Sequence, residues 1–103
     1  MLFNRGLRAW CADNEIKLKE SELIVLVSIH FKGHVGVTGL ETYHLSLFRS
    51  LGLKKLTICL NRFISLGWVE VKRSNPNIYT LTLLGRNVLD GIETRCRLTR
   101  VDR

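Results

Sequence analysis

The chain has 103 residues, with 16 lysines and arginines against 9 aspartates and glutamates, a formal charge of +7 and a pI of about 9.8. Hydrophobic residues make up 46% of it, which excludes a wholly disordered chain, and the length favours one small domain without a deep catalytic cleft. No apolar run reaches the roughly 18 residues that span a bilayer. The first twelve residues lack the apolar stretch of a signal peptide, so we expect a cytoplasmic protein.

The excess of positive charge is concentrated in one quarter of the chain. Residues 49–73 carry a charge of +5, because Glu70 is opposed by six basic residues: Arg49, Lys54, Lys55, Arg62, Lys72 and Arg73. A basic cluster of this kind is typical of proteins that bind nucleic acid. A solvated basic face is the simpler alternative.

Two helices are predicted at the start of the chain. Apolar residues at positions 2, 3, 7, 10 and 11 have the spacing of an amphipathic helix that ends near Asp13. The strongly apolar segment 20–32 fits a buried strand or a buried helix. Ser21 and Glu22 are suited to a helix start, and the apolar run extends to Phe31, so we predict a mostly buried helix capped by Gly33.

The middle of the chain is predicted to hold a short strand and two helices. The strand covers residues 34–37, and the pair Thr38 and Glu41 forms a capping box that starts a helix running to about Ser50. After Gly52 a second helix spans about 54–66, with Leu56, Leu60 and Phe63 facing inward, and Gly67 ends it.

A hairpin and a last helix complete the predicted elements. Residues 68–73 and 78–82 alternate as strands around the turn residues 74–77. Thr82 is a candidate N-cap for a helix that starts at Leu83 or Leu84, and its apolar stripe comprises Leu84, Val88, Leu89, Ile92 and Cys96. Two short helices followed by a hairpin predict a winged helix-turn-helix, whose second helix enters the major groove of DNA.

Two sequence patterns resemble bacterial winged-helix regulators. The segment 51–69, with Leu51-Gly52-Leu53 and Leu66-Gly67-Trp68-Val69 at its ends, resembles their helix-turn-helix and the start of their wing. The segment 79–86 resembles the Y-x-L-T-x-x-G-R signature of MarR-type and PadR-type proteins. The resemblance covers about residues 20–92. It implies a mainly α fold with a small β-hairpin wing (α+β), and a homodimer that binds a two-fold-related DNA site.

The resemblance also implies which residues contact DNA. Recognition helix 54–66 would lie in the major groove and wing 68–82 on the backbone, through Lys54, Lys55, Thr57, Ile58, Asn61, Arg62, Lys72, Arg73, Ser74 and Asn75. The lysines and Arg73 suit phosphate contacts, while Asn61 and Arg62 can form bidentate pairs with adenine and guanine. Ile58 has two interpretations, contact with a thymine methyl group or packing against a neighbouring helix.

The remaining reactive side chains give weaker patterns. The three cysteines have no CxxC spacing and are expected to be reduced thiols. Cys59 is either a redox switch beside the recognition helix or a small packing residue. His30 and His34 have the spacing of a shared metal site, but Gly33 would end the helix between them, so we expect no metal. No catalytic or cofactor motif occurs, and we expect neither an enzyme nor a cofactor.

These observations predict one winged-helix domain over residues 1–103. It comprises an N-terminal helix and linker (1–18), the winged-helix core (19–83), and a C-terminal helix with a basic tail (84–103). Trp10 and the apolar stripes of the terminal helices exceed what the core needs, which predicts a homodimer through those helices; the alternative is simple packing of these helices onto the domain. Any small-molecule effector would have to use the dimer crevice.

The function predicted is that of a small homodimeric transcriptional regulator that binds specific double-stranded DNA. The alternatives are a winged-helix module for protein–protein contact and a non-specific binder of nucleic acid, structured RNA included.

Overall fold

The computed structural model describes residues 2–32, 40, 52–73 and 77–101. These residues form four helices and a two-stranded antiparallel sheet: α1 (Leu2–Asn14), α2 (Glu20–Lys32), α3 (Leu53–Ser65), β1 (Val69–Lys72), β2 (Ile78–Leu81) and α4 (Leu83–Val101). The mainly α fold with a small hairpin is therefore confirmed. Within this part of the chain, no helix is long and apolar enough to cross a membrane.

Several predictions for the middle of the chain lie outside the described residues. They are the Gly33 cap, the strand at 34–37, the capping box of Thr38 and Glu41, and the helix that runs on to Ser50. Leu40, which belongs to that last prediction, is described and is both helical and fully buried.

The first two helices form as the sequence predicts. In α2 the apolar run is helical, and Leu23, Val25, Leu26 and Ile29 enter the core. The buried Ser28 hydroxyl donates to the Ile24 carbonyl at 2.8 Å, so this polar group costs little inside the core.

Helix α3 is bounded by two glycines with positive φ. Gly52 (φ 87°) precedes it, and Gly67 (φ 77°) follows it. The Gly67 N–H bonds to the Ile64 carbonyl at 3.0 Å, which confirms the predicted helix end. The apolar side of α3 is buried, as predicted, with Leu56, Leu60 and Phe63 almost inaccessible to solvent.

The hairpin pairs β1 with β2 in antiparallel register. Val69 lies opposite Leu81, and Lys72 lies opposite Ile78. Val69 and Tyr79 are buried, so one side of this two-stranded sheet packs on the helices. The hairpin tip, residues 74–76, is outside the described residues.

Thr82 joins the hairpin to α4. Its hydroxyl accepts a hydrogen bond from the Gly85 N–H at 3.0 Å and donates one to the Gly67 carbonyl at 2.6 Å. The first of these bonds is that of an N-cap, which confirms the prediction. The second ties the end of α3 to the start of α4, so a single side chain links both helices.

Helices α1 and α4 pack closely against each other. A Cβ atom on Gly6 would lie 2.5 Å from the Cys96 Sγ, and one on Gly91 would lie 2.9 Å from the Trp10 Nε1. Gly6, in the first half of α1, thus contacts the C-terminal half of α4, whereas Trp10, in the second half of α1, contacts the N-terminal half of α4. The two helices therefore run antiparallel. The small residues allow this close approach of the two backbones.

An aromatic cluster connects this helix pair to the wing. The rings of Trp10 and Trp68 meet edge to face with centroids 6.1 Å apart, and Trp68 stacks on Phe63 at 5.5 Å. Trp10 is therefore part of this chain's own core. For Trp10 the interpretation as spare apolar surface is wrong and the alternative, packing onto the domain, is confirmed, because Trp68 already covers it.

The predicted apolar stripe of α4 begins one residue too early. Leu84 is 51% exposed, whereas Gly85, Val88 and Ile92 are buried, with Leu89 and Cys96 partly so. The physical reason is the N-cap, since Thr82 places Gly85 against the chain at Trp68 and turns Leu84 outward.

Candidate nucleic-acid interface

Helix α3 presents a basic and polar side to solvent. We call five exposed residues on this side the recognition surface; they are Lys54, Lys55, Thr57, Ile58 and Asn61. The opposite side of the same helix carries the buried anchors Leu56, Cys59, Leu60 and Phe63. Because that side is embedded in the core, the direction of the recognition surface is fixed by packing.

Two side chains of the recognition surface have informative environments. The Thr57 hydroxyl donates to the Leu53 carbonyl at 2.8 Å, so its donor is used within the helix and its oxygen remains able to accept. Ile58 is 60% exposed, so it is not a core residue of α3. Contact with a thymine methyl group stays available to it, while packing against a neighbouring helix would have buried it.

Arg62 differs from the other predicted contacts on α3. Its Nη1 donates to the Glu22 Oε2 at 2.8 Å, and its Nη2 donates to the Lys17 carbonyl. Both partners belong to the start of α2 and the loop before it. The structure therefore places Arg62 at the edge of the recognition surface, with its guanidinium turned towards α2.

The wing contributes two further basic residues. Lys72 ends β1 and Arg73 follows it, and both are exposed. Glu70 is exposed as well and lies two residues before Lys72, so it shares the same side of the strand. Ser74 and Asn75, the other predicted wing contacts, lie outside the described residues.

Glu22 is a partner of Arg62 that no sequence pattern predicts. Forty positions separate the two residues, and one sequence contains no signal that pairs them. The sequence did mark Glu22 as a helix-start residue, and that role is present: its Oε1 accepts the Lys19 N–H at 2.8 Å.

Cys59 lies on the buried side of α3 beneath the recognition surface. The pKa of its thiol is raised to about 12, mainly by burial and to a lesser extent by the Glu22 carboxylate, while Arg62 acts in the opposite direction. A thiol that keeps its proton is a poor nucleophile. The packing interpretation of Cys59 is therefore favoured over the redox switch. None of the three cysteines forms a disulfide.

An apolar groove separates α2 from α4. It has a volume of about 550 Å³. Its floor is apolar, with Leu23, Ile24, Val27, Leu89 and Ile92, and its polar lining residues are His30, Arg86, Asp90 and Glu93. Phe31 lines the groove too and is largely exposed. Among the described residues, no three histidine, cysteine, aspartate or glutamate side chains come together as metal ligands do.

Two comparisons by sequence find no match: no family model matches the chain, and no curated protein is significantly similar to it. Comparisons of structure do find matches. The RV1404 protein from Mycobacterium tuberculosis superposes with a TM-score of 0.79 at 13% identity, over 97% of this chain and 67% of its own. A MarR-family transcriptional regulator from Silicibacter pomeroyi gives 0.71 at 18% identity, over 95% of this chain and 64% of its own.

The third structural match is a protein whose own DNA binding is regulated by a small molecule. BpsR from Bordetella bronchiseptica, whose DNA binding is regulated by 6-hydroxynicotinic acid, gives a TM-score of 0.68 at 14% identity, over 96% of this chain and 73% of its own. This chain thus spans about two thirds of the length of the first two matches. The helix order, the hairpin and these superpositions agree: the chain has the winged helix-turn-helix fold of MarR-type transcriptional regulators.

Proposed function

We propose that this protein is a transcriptional regulator that binds specific double-stranded DNA as a homodimer. The observation that carries the proposal is the recognition surface itself. Two lysines, an asparagine and an exposed isoleucine lie on one side of a helix whose other side is buried. A helix held rigidly in this way can be inserted into the major groove without losing its orientation.

The residues of this surface divide by chemistry. Lys54 and Lys55 supply charge for phosphate contacts at the start of α3, which give affinity without sequence choice. Asn61 can pair with an adenine edge, and Ile58 can contact a thymine methyl group. Together these two side chains would favour A·T pairs in the centre of each half-site.

The wing extends the surface along the DNA backbone. Lys72 and Arg73 are exposed where β1 ends, which suits contacts with phosphates next to the groove that α3 occupies. Ser74 and Asn75 remain predicted contacts at the wing tip. Since Glu70 lies on the same side of β1 as Lys72, we expect the wing to contact DNA mainly through its end.

The homodimer is part of the proposal. One side of α4 is already covered by α1, through Gly6 and Trp10. The other side lines the apolar groove with α2, and a second copy of the chain seated there would bury it. In a symmetric dimer, recognition helices roughly 34 Å apart would contact half-sites one helical turn apart.

The dimer is tested by sedimentation equilibrium of the whole chain. Phe31→Glu introduces a charge into the groove at an exposed position, so the dissociation constant should rise by about 10-fold or more while the fold is kept. Leu53→Glu is the matched control, because Leu53 is also an exposed apolar residue and lies on α3, outside the groove. A dimer that tolerates Phe31→Glu as well as Leu53→Glu does not use this groove.

The function is tested by a salt titration of binding to random duplex DNA, followed by selection from a random-sequence pool at the same salt concentration. We expect affinity to fall steeply with salt and an inverted repeat to be enriched. A steep salt dependence without enrichment would mean a non-specific binder. Absence of binding at low salt would overturn the proposal and favour contact with an acidic protein partner.

A further inference from the structure

The contact between Arg62 and Glu22 has the geometry of a clamp. One end of the Arg62 guanidinium bonds the Glu22 carboxylate at 2.8 Å, and the other end bonds the carbonyl of Lys17. The two donors of the planar fork are thus used on two separate acceptors. A lysine has no second donor at that spacing, so this arrangement requires arginine.

Glu22 is itself held in place by the helix that it starts. The Leu23 N–H bonds to the Lys19 carbonyl at 3.0 Å, which makes Lys19 the N-cap residue of α2 and Glu22 its third helical residue. From there the Glu22 carboxylate reaches back to the Lys19 N–H with one oxygen and to Arg62 with the other. The carboxylate therefore joins the start of α2 to α3.

Burial distinguishes this ion pair from a surface pair. The side chain of Glu22 is 19% exposed and that of Arg62 is 37% exposed, so solvent screens the contact less than it screens a fully exposed pair. Arg62 also lies in the last turn of α3, where a positive charge interacts favourably with the helix dipole. The partial burial and the helix dipole therefore favour an Arg62 guanidinium that remains bonded to the start of α2.

We propose that Arg62 is a positioning residue, which fixes the recognition helix on the start of α2 through Glu22 and does not itself contact bases. This inference rests on the proposed DNA-binding function. It changes the role that the family resemblance implies for this position. Base choice would then depend on Ile58 and Asn61, and the Glu22–Arg62 pair would set the angle at which they enter the groove.

The two roles predict opposite effects of neutralising Glu22. Glu22→Gln removes a negative charge near the DNA, which by itself favours DNA binding. If Arg62 contacts DNA, the same change releases it and affinity rises or stays constant. If Arg62 positions α3, Glu22→Gln loosens the helix and affinity falls despite the gain in net charge.

The experiment is a double-mutant cycle on the whole chain, with Glu22→Gln, Arg62→Gln and both changes together. Affinity for the selected DNA site and its base preferences are measured for each variant. We expect each single variant to bind about 10-fold more weakly, the double variant to bind no more weakly than either, and every base preference to persist. Arg62→Lys should recover little of the loss. Asn61→Ala is the matched control, and it should weaken preference at one base pair.

Three results would overturn the inference: affinity unchanged or raised by Glu22→Gln, a preference lost at one base pair in Arg62→Gln, or full recovery by Arg62→Lys. Urea unfolding of the same variants tests the clamp without DNA. We expect the two changes to be coupled by about 5-fold in the unfolding equilibrium constant. If the wild type binds no DNA, the proposed function fails, and this coupling alone supports the clamp or, by its absence, overturns it.

Discussion

A Cβ atom on residue 85 would lie 2.1 Å from the carbonyl oxygen of Trp68. The same carbonyl accepts the Thr82 N–H at 3.0 Å, so it is fixed by the joint between the wing and α4. Gly85 is therefore required for close packing of two backbones. The Thr and Gly of the Y-x-L-T-x-x-G-R signature thus have structural roles in this chain, as cap and as point of closest approach.

Gly85→Ala should destabilise the protein strongly. The methyl group would overlap a backbone carbonyl, which cannot rotate away as a side chain does, so the start of α4 must shift. We expect a loss of about 2–3 kcal/mol in the free energy of unfolding, measured by urea denaturation. Asn87→Ala, an exposed change on the same helix, is the control and should stay within about 0.5 kcal/mol. Equal stabilities for the two variants would contradict the close contact.

Thr82→Val tests the cap apart from the packing. Valine keeps the shape of threonine but removes the hydroxyl, so the Gly85 N–H and the Gly67 carbonyl both lose a partner. We expect a loss of about 1–2 kcal/mol in the free energy of unfolding. Thr82→Ser retains the hydroxyl and should recover most of it. If serine is as destabilising as valine, the methyl group of Thr82 matters as much as its hydrogen bonds.

Local signals in the sequence predicted most of the described elements. The spacing of Leu56, Leu60 and Phe63 defined the buried side of α3, and the chemistry of Thr82 and Gly67 defined two helix ends. Each of these signals acts within one or two turns of helix. They therefore predict the helices and strands and the buried side of each. The recognition surface follows, because it lies opposite the buried side of α3.

Contacts between distant residues could not be predicted in this way. Glu22 and Arg62 are 40 positions apart, and Trp10 of α1 contacts Trp68, which directly precedes β1. Their pairing depends on how the helices pack, which one sequence does not specify. The apolar character of Trp10 therefore does not indicate that Trp68 covers it, and no pattern predicts the bond from Arg62 to Glu22.

The two lysines at the start of α3 should carry much of the DNA affinity. Lys54→Glu with Lys55→Glu reverses both charges on the recognition surface, so we expect affinity for the selected site to fall by about 100-fold or more. The plot of log affinity against log salt should become less steep by about 2 for each protomer, and so by about 4 for the homodimer, because each lost lysine leaves one phosphate unneutralised. Filter binding at several salt concentrations measures both quantities.

The control for the double variant Lys54→Glu with Lys55→Glu makes the same change of net charge on α1. Arg5→Glu with Arg8→Glu alters two exposed residues of α1, so it lowers the net charge equally without touching α3. It should reduce affinity several-fold at most. If the two double variants weaken binding equally, the total charge of the protein determines affinity and the recognition surface has no special part in it.

The buried thiol of Cys59 should make the protein less stable in alkali. Its pKa is raised from 9.0 to about 12 in the folded protein, so the folded state keeps a proton that the unfolded state loses. The contribution of Cys59 to stability is complete below pH 9 and is lost as the pH rises from about 9 towards 12. At pH 10 we expect a loss of about 1 kcal/mol in the free energy of unfolding relative to pH 8 from this group.

Urea unfolding at pH 8 and pH 10 measures this loss in the wild type and in Cys59→Ala. Lysines and tyrosines titrate in both proteins, so the difference between the two pH dependences isolates Cys59, and identical dependences would show that its thiol is accessible to solvent in the folded state.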